Sequence, residues 1–296
     1  MSTTTTSRPL RPTPTAPLVA TSMAELAALP RRGVRARRRA LFPSEPAQWK
    51  TGPAALAIVV AVFAAWQLLA DAGAINTFFW SKPSMIWQSA VTNFTKGSMW
   101  SDTAYTFTAT IAGFAIGVVG GSLIGLSFWW SRFYQRTAEP LIVAVEAMPK
   151  LALAPMIVLA LGLGIGSKIA MATALVIIIQ ILNTEAAVRG IDRDLQTLLY
   201  SLGASRWQVF RKVVVPATIP SIVASLRVSI GLALTGAIVG EYIGSQQGLG
   251  KMIQFAAASF DISLIWVGVF TLALLSFLLY LVVLVIQRVL LRLVHG

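Results

Sequence analysis

Arg189-Gly-Ile-Asp-Arg-Asp-Leu-Gln-Thr-Leu-Leu-Tyr-Ser-Leu-Gly-Ala-Ser-Arg-Trp-Gln-Val-Phe-Arg-Lys-Val-Val-Val-Pro216 is a polar island between two oily stretches. Two short helix patterns are legible in it. Asp192 is a good N-cap for the first, and Asp194 in its first turn complements the positive end of the helix dipole. Leu195, Leu198, Leu199 and Leu202 fall at i, i+3, i+4 and i+7, which is one apolar helical face. Gly203 supplies a stop. The second pattern opens at Ser205 with Gln208 three residues on, a capping box. Trp207, Phe210 and Val214 lie along one side of it. Pro216 and Pro220 are expected to end it, with Pro220 in the first turn of the next helix. An exposed amphipathic pair of this kind lies flat among lipid headgroups, packs on its own bundle, or plugs the groove of a partner. The residues alone leave those three open.

The flanks of the island are apolar enough to be membrane. Of 296 residues, 56% are hydrophobic and 12% charged, against about 25% charged in a soluble domain. Mean hydropathy is +0.74. Gaps between charges locate the spans. Lys50 to Asp71 leaves 20 uncharged residues, Asp102 to Arg132 leaves 29 and Asp261 to Arg288 leaves 26. Each exceeds or meets the ~20 residues that cross a bilayer as helix. The gaps on either side of Lys168 hold 17 and 16 residues, and the first of these gains length if its helix begins near Pro140. Another span runs from about Pro220 to Ser245 and carries Arg227 and Glu241. The expectation is an all-α integral membrane protein with six transmembrane helices, near 53–71, 103–129, 140–163, 168–186, 219–244 and 263–288. The island, about 189–217, joins the fourth to the fifth.

Six spans put both termini on one side, and charge chooses the side. The formal net charge is +13, from 24 Lys and Arg against 11 Asp and Glu. Eighteen of the 24 basic residues fall on the side of the termini and of the 189–217 loop. Four, Lys82, Lys96, Lys168 and Lys251, fall on the other. Both termini are therefore expected in the cytoplasm. Lys150 and Arg227 lie near inner helix ends and can snorkel. The positive charge is an orientation signal, so a nucleic-acid binder and an ordinary soluble enzyme are both disfavoured.

Residues 1–52 form a separate region. Positions 2–22 are rich in Thr, Ser and Pro, and Arg31 to Arg39 holds six arginines in nine residues. Such a segment is expected to be a disordered cytoplasmic arm whose basic run lies on anionic lipid. No apolar region follows promptly enough for a secretory signal, although the composition also fits an organelle transit peptide. Residues 53–296 are expected to be the six-helix membrane domain.

Chemistry of its own is not expected. There are no cysteines, and the one histidine is His295. A catalytic site and a metal site are therefore not anticipated. No Gly-x-x-x-x-Gly-Lys-Ser/Thr phosphate loop is present. Gly113, Gly117, Gly121 and Gly125 recur every four residues, and so do Gly236, Gly240, Gly244 and Gly248. Small residues at that spacing let membrane helices approach closely. Glu146 and Glu241 are intramembrane acids, costly unless paired or functional. Glu146 is expected to pair with Lys150 at i+4.

Several segments together resemble one family. Gly203, nine residues, then Val213-Val-Val-Pro216 resembles the Gly-x9-Ile-x-Leu-Pro end of the signature loop of ABC importer permeases. Leu202 to Pro216 looks like that loop in the subfamily importing nitrate, sulfonates and taurine. Lys82-Pro-Ser-Met-Ile86, Met148-Pro149 through Leu153-Ala-Pro155, Asn183-Thr184 with Arg189-Gly190, and Ser245 to Gly250 are similar to further subfamily segments. The match covers about residues 80–290. The letters Glu185-Ala-Ala187 mimic the start of the signature, but the family glycine lies six residues after its Glu. Counting back six from Gly203 reaches Thr197.

That resemblance implies a type I ABC importer permease in a bacterial inner membrane. It implies two partner ATPase subunits that bind ATP and magnesium, a second permease copy or homologue, and an extracytoplasmic solute-binding protein. Lipid is the remaining partner, and no cofactor is expected on this chain. The implied docking surface comprises Thr197, Leu199, Tyr200, Gly203, Ala204, Ser205 and Trp207, supported by Phe210, Val213 and Pro216. Glu146, Asn183 and Glu241 are the candidate path residues. The implied solute is a small anion such as a sulfonate or nitrate; thiamine-precursor pyrimidines, riboflavin-like compounds and bicarbonate stay open. The alternative outside the family is an ion-coupled secondary transporter.

Overall fold

The computed structural model describes the backbone of residues 48–295 and the side chains of 53–292. The basic arm, expected over residues 1–52, lies almost wholly outside the described residues. Among those described, every regular element is helical. Five of the described helices are long and apolar enough to cross a membrane, and counting a bent pair as one span brings the number to six.

The first span is α1, Gln48–Asp71. Two helices that the hydropathy reading passed over follow it, the single turn α2 at Thr77–Trp80 and the amphipathic α3 at Pro83–Lys96. Pro83 opens α3 at a first-turn position, where its missing N–H has no partner to lose. The second span, α4, covers Met99–Ser127 and tightens into a 3-10 turn at Phe128–Trp130.

The third span is not the single helix expected over 140–163. It is α5, Arg132–Ala147, then a 3-10 turn at Lys150–Leu153, then α6, Ala154–Leu161. The two parts are bent by 79°. The cause is local. Pro149 disfavours helix at Met148, whose ψ is 141°, and Pro155 takes a first-turn position in α6. The i+4 ion pair of Glu146 with Lys150 does not form, because Lys150 lies past the break. Its Nζ instead donates to the Glu146 main-chain carbonyl at 3.1 Å.

The fourth span is α7, Ile165–Arg189. The island holds α8, Arg193–Ser201, and α9, Arg206–Val209. Pro216 and Pro220 do not end the second pattern as expected. A π turn at Phe210–Val214 joins α9 to α10, Val215–Ile243, so one helical rod runs 38 residues from Arg206 to Ile243. Pro216 takes an early position in α10 just past that turn. After α10 come α11, Leu249–Ala258, and the last span α12, Ile262–His295.

The core is α4, α7 and α10. The first glycine row is its seam. A Cβ on Gly117 or Gly125 would lie 2.6 Å from the Cβ of Val176 or Thr184 on α7, and one on Gly113 would lie closer still to Ala172. Gly236 on α10 meets the same Ala172 from the other side. The second glycine row is not a seam throughout. Gly244 ends α10, and Gly248 belongs to the following turn with a φ of +110°. A second core joins α10, α11 and α12 around Leu226, Ile230, Leu249, Val267 and Leu279.

Candidate functional site

The 189–217 loop is built from local caps. The Asp192 carboxylate accepts from the Asp194 N–H at 2.8 Å. At the other end of α8, Gly203 has a φ of +83°, the left-handed conformation that costs an L residue about 1–2 kcal/mol. Gly203 donates to the Tyr200 carbonyl and Ala204 to the Leu199 carbonyl, both at 3.0 Å. That is the two-bond pattern that closes a helix at glycine. Ser205 then starts α9 with both halves of its capping box made to Gln208. One turn thus ends a helix and starts another with few loose backbone groups between them.

An aromatic clamp fastens this loop to the end of α4. Trp207 stacks on Trp130 and on Phe210, and Phe210 also meets Trp129. Arg206 donates to the Trp130 carbonyl at 2.7 Å and lies over both indole rings. Trp129 Nε1 reaches Gln196 Oε1 on α8 at 3.2 Å. Beneath the clamp, Val188, Ile191, Val213 and Val214 form a small buried cluster, with Leu199 and Phe210 against it. Phe128-Trp129-Trp130 is a component of the site that the sequence reading did not single out. Three adjacent aromatics at the end of a span were the available signal.

The docking candidates separate into two groups by burial. Val213 is buried, and Leu199 and Phe210 are half-buried, so these three hold the loop. Thr197, Tyr200, Gly203, Ser205, Trp207 and Pro216 are exposed, and Ala204 is half-buried beside them. Of the predicted leucine face only Leu199 packs inward. Leu195, Leu198 and Leu202 stay open, with Leu202 75% exposed. An apolar patch therefore stands on a rigidly capped turn.

Below the loop, Glu185 of α7 accepts from Gln135 of α5 at 2.5 Å and pairs with Arg189. Arg189 also pairs with Glu139 of α5 at 2.7 Å. Glu185, which mimics the signature glutamate in sequence, is thus a tie between α5 and α7.

The three path candidates lie apart. Glu146 is exposed near the end of α5, and Asn183 is half-buried in α7. Glu241 is fully buried and its Oε2 accepts from Thr106 Oγ1 at 3.0 Å and from the Gly250 N–H at 2.8 Å. Asp102 accepts from the neighbouring Gly248 N–H at 2.7 Å. Lys168, also fully buried, donates to the Leu163 and Gly244 carbonyls. Together these groups fix the Ser245–Gly250 turn against α4 and α7.

Comparisons with known proteins bear directly on this geometry. Residues 117–296 match the family described as binding-protein-dependent transport system inner membrane component. The chain is 31% identical over 231 residues to the riboflavin transport system permease protein RibX of Chloroflexus aurantiacus, covering 77% of this chain and 85% of that one. It is 34% identical over 166 residues to the formylaminopyrimidine transport permease protein ThiX of Halalkalibacterium halodurans, covering 56% and 66%. It shares its fold with a chain of the inward-facing MetNI methionine ABC transporter, at a TM-score of 0.54 and 21% identity over 66% of this chain and 99% of that one. With apolar spans, a helical loop between the fourth and fifth of them and no ATP-binding motif, the chain belongs to the inner membrane components of binding-protein-dependent transport systems, as a multi-pass ABC permease.

Proposed function

We propose that this chain forms half of the membrane path of an ATP-driven importer, with both termini cytoplasmic and α8–α9 seated in the groove of one of two ATPase subunits. The observation that carries this is the apolar patch of Leu195, Leu198, Leu202 and Trp207 on a turn with both caps satisfied. A flexible headgroup-binding loop has no need of such rigidity. A lever that transmits a displacement does, and the clamp on Trp129 and Trp130 links the lever to α4. ATP and magnesium are bound by the partner chains. An extracytoplasmic binding protein delivers the solute.

A second copy or homologue completes the path. In α5 and α6 Ala154 and Val158 are buried, but most apolar side chains are open, among them Leu141, Val143, Met156 and Leu159. That stripe is long and bent, and it faces nothing in this chain, which is what a half-path leaves for its other half.

For the solute, two readings stand. The loop's resemblance favours a sulfonate or nitrate. The relatives named for riboflavin and formylaminopyrimidine favour a small heterocycle. Calorimetry of the cognate binding protein against both classes separates them. For the permease role, Gly203→Asp with Ala204→Asp is expected to abolish co-purification of the ATPase subunit and uptake while leaving membrane insertion intact. Normal co-purification and uptake would overturn the docking assignment.

A further inference from the structure

Beneath the loop lies a cleft of about 580 Å³ that shares only Tyr200 with the docking candidates. Five arginines line it: Arg132 and Arg136 from α5, Arg189 from α7, Arg193 from α8 and Arg206 from α9. Glu139 is the one acid among the lining residues. Arg189 is engaged with Glu139 and Glu185, and Arg206 with Trp130. The guanidinium groups of Arg132, Arg136 and Arg193 have no ion pair or hydrogen bond among the described residues. Arg132 and Arg136 stand at i and i+4, on the same face of α5. Three unneutralised guanidinium groups around one concavity raise its positive potential, and low-dielectric walls focus it. Guanidinium forks match the oxygens of a phosphate two at a time.

The depth of the cleft is informative. It lies where two apolar spans stop, α4 at its Phe128–Trp130 turn and α7 at Arg189. Trp129 lines it, Trp130 is next in the chain, and Phe133, which follows Arg132 in α5, is 81% exposed. Tryptophan beside exposed apolar and basic side chains is the composition of the headgroup layer. We propose that this cleft binds a phosphate group, carried by the headgroup of an anionic phospholipid. The bound phosphate bridges Arg132 and Arg136 of α5 to Arg193 of α8, and so braces the base of the loop.

The test uses the full-length protein, purified and reconstituted in nanodiscs of phosphatidylcholine with phosphatidylglycerol, then delipidated. Retained phosphatidylglycerol is counted by mass spectrometry. The wild type is expected to retain it several-fold better than Arg132→Gln/Arg136→Gln, with Arg132→Lys/Arg136→Lys recovering part of the difference. A parallel arm titrates inorganic pyrophosphate into the protein in pure phosphatidylcholine. Pyrophosphate binding that the double variant loses, without lipid retention, keeps the phosphate site and assigns it a soluble ligand. Equal lipid retention by all variants, with no pyrophosphate binding, overturns the proposal. If the double variant fails to fold, Arg193→Gln on the exposed start of α8 carries the same comparison. Neither arm depends on ATPase docking or transport, so this proposal and the proposed function fail separately.

Discussion

Gly117 and Gly120 stand three residues apart on α4 and face different constraints. A Cβ on Gly117 would lie 2.6 Å from Val176 Cβ, whereas one on Gly120 would lie 3.4 Å from the flexible tip of Ile177. Gly117→Ala is therefore expected to cost about 1–3 kcal/mol through overpacking of the α4–α7 seam. Gly120→Ala should be near neutral, and thermal melts of the two variants in detergent measure the contrast. At the loop, Ser205→Ala removes the side-chain cap of α9 at a cost of about 1 kcal/mol. Faster amide exchange confined to residues near 206–209 is the expected readout. The caps at Asp192, Gly203 and Ser205 were legible in the sequence because each acts over two or three residues. The partners of Arg206 and Gln196 were not, since Trp129 and Trp130 lie 67 and 76 positions away along the chain.

At the scale of elements, the π turn at Phe210–Val214 sets the angular register between loop and span. Val215 N–H bonds to the Phe210 carbonyl, one residue further back than in an α-helix. Deleting the exposed Lys212 returns that stretch to α-helical spacing with one residue fewer in the turn, so α9 keeps its phase against α10. The Trp207–Trp130 stack, ATPase-subunit co-purification and uptake should then stay close to wild type. Inserting one Ala after Lys212 adds a residue that the π turn has no second place for, and is expected to turn α9 by about 100° and lose both co-purification and uptake. Lys212→Ala, which keeps the residue count, should retain both. Hydropathy located the long spans well because a bilayer demands uninterrupted apolar length. It missed α3 and α11 because they are short and amphipathic. It also read the third span as one helix, since Met148 to Leu153 stays mostly apolar through the break and only Pro149 marks it there.

At the scale of the whole molecule, orientation is open to a clean measurement because the chain has no cysteine. Single Cys substitutions at the exposed Lys96 and Ser201 report the two sides. A membrane-impermeant maleimide is expected to label Lys96→Cys in intact cells and Ser201→Cys only in inverted vesicles. The reverse pattern would invert the topology drawn from basic residues. The bend in the third span has a consequence of its own. An unbroken helix offers a passing molecule only side chains. Each helix end near Met148–Leu153 leaves up to four amide or carbonyl groups without intrahelical partners, and in hydrocarbon such groups need water, protein or solute. In the proposed pair of permeases, the opening would gain a collar of neutral peptide dipoles. Such a collar would take hold of an anion and a heterocycle alike, which would leave discrimination to the proposed binding protein.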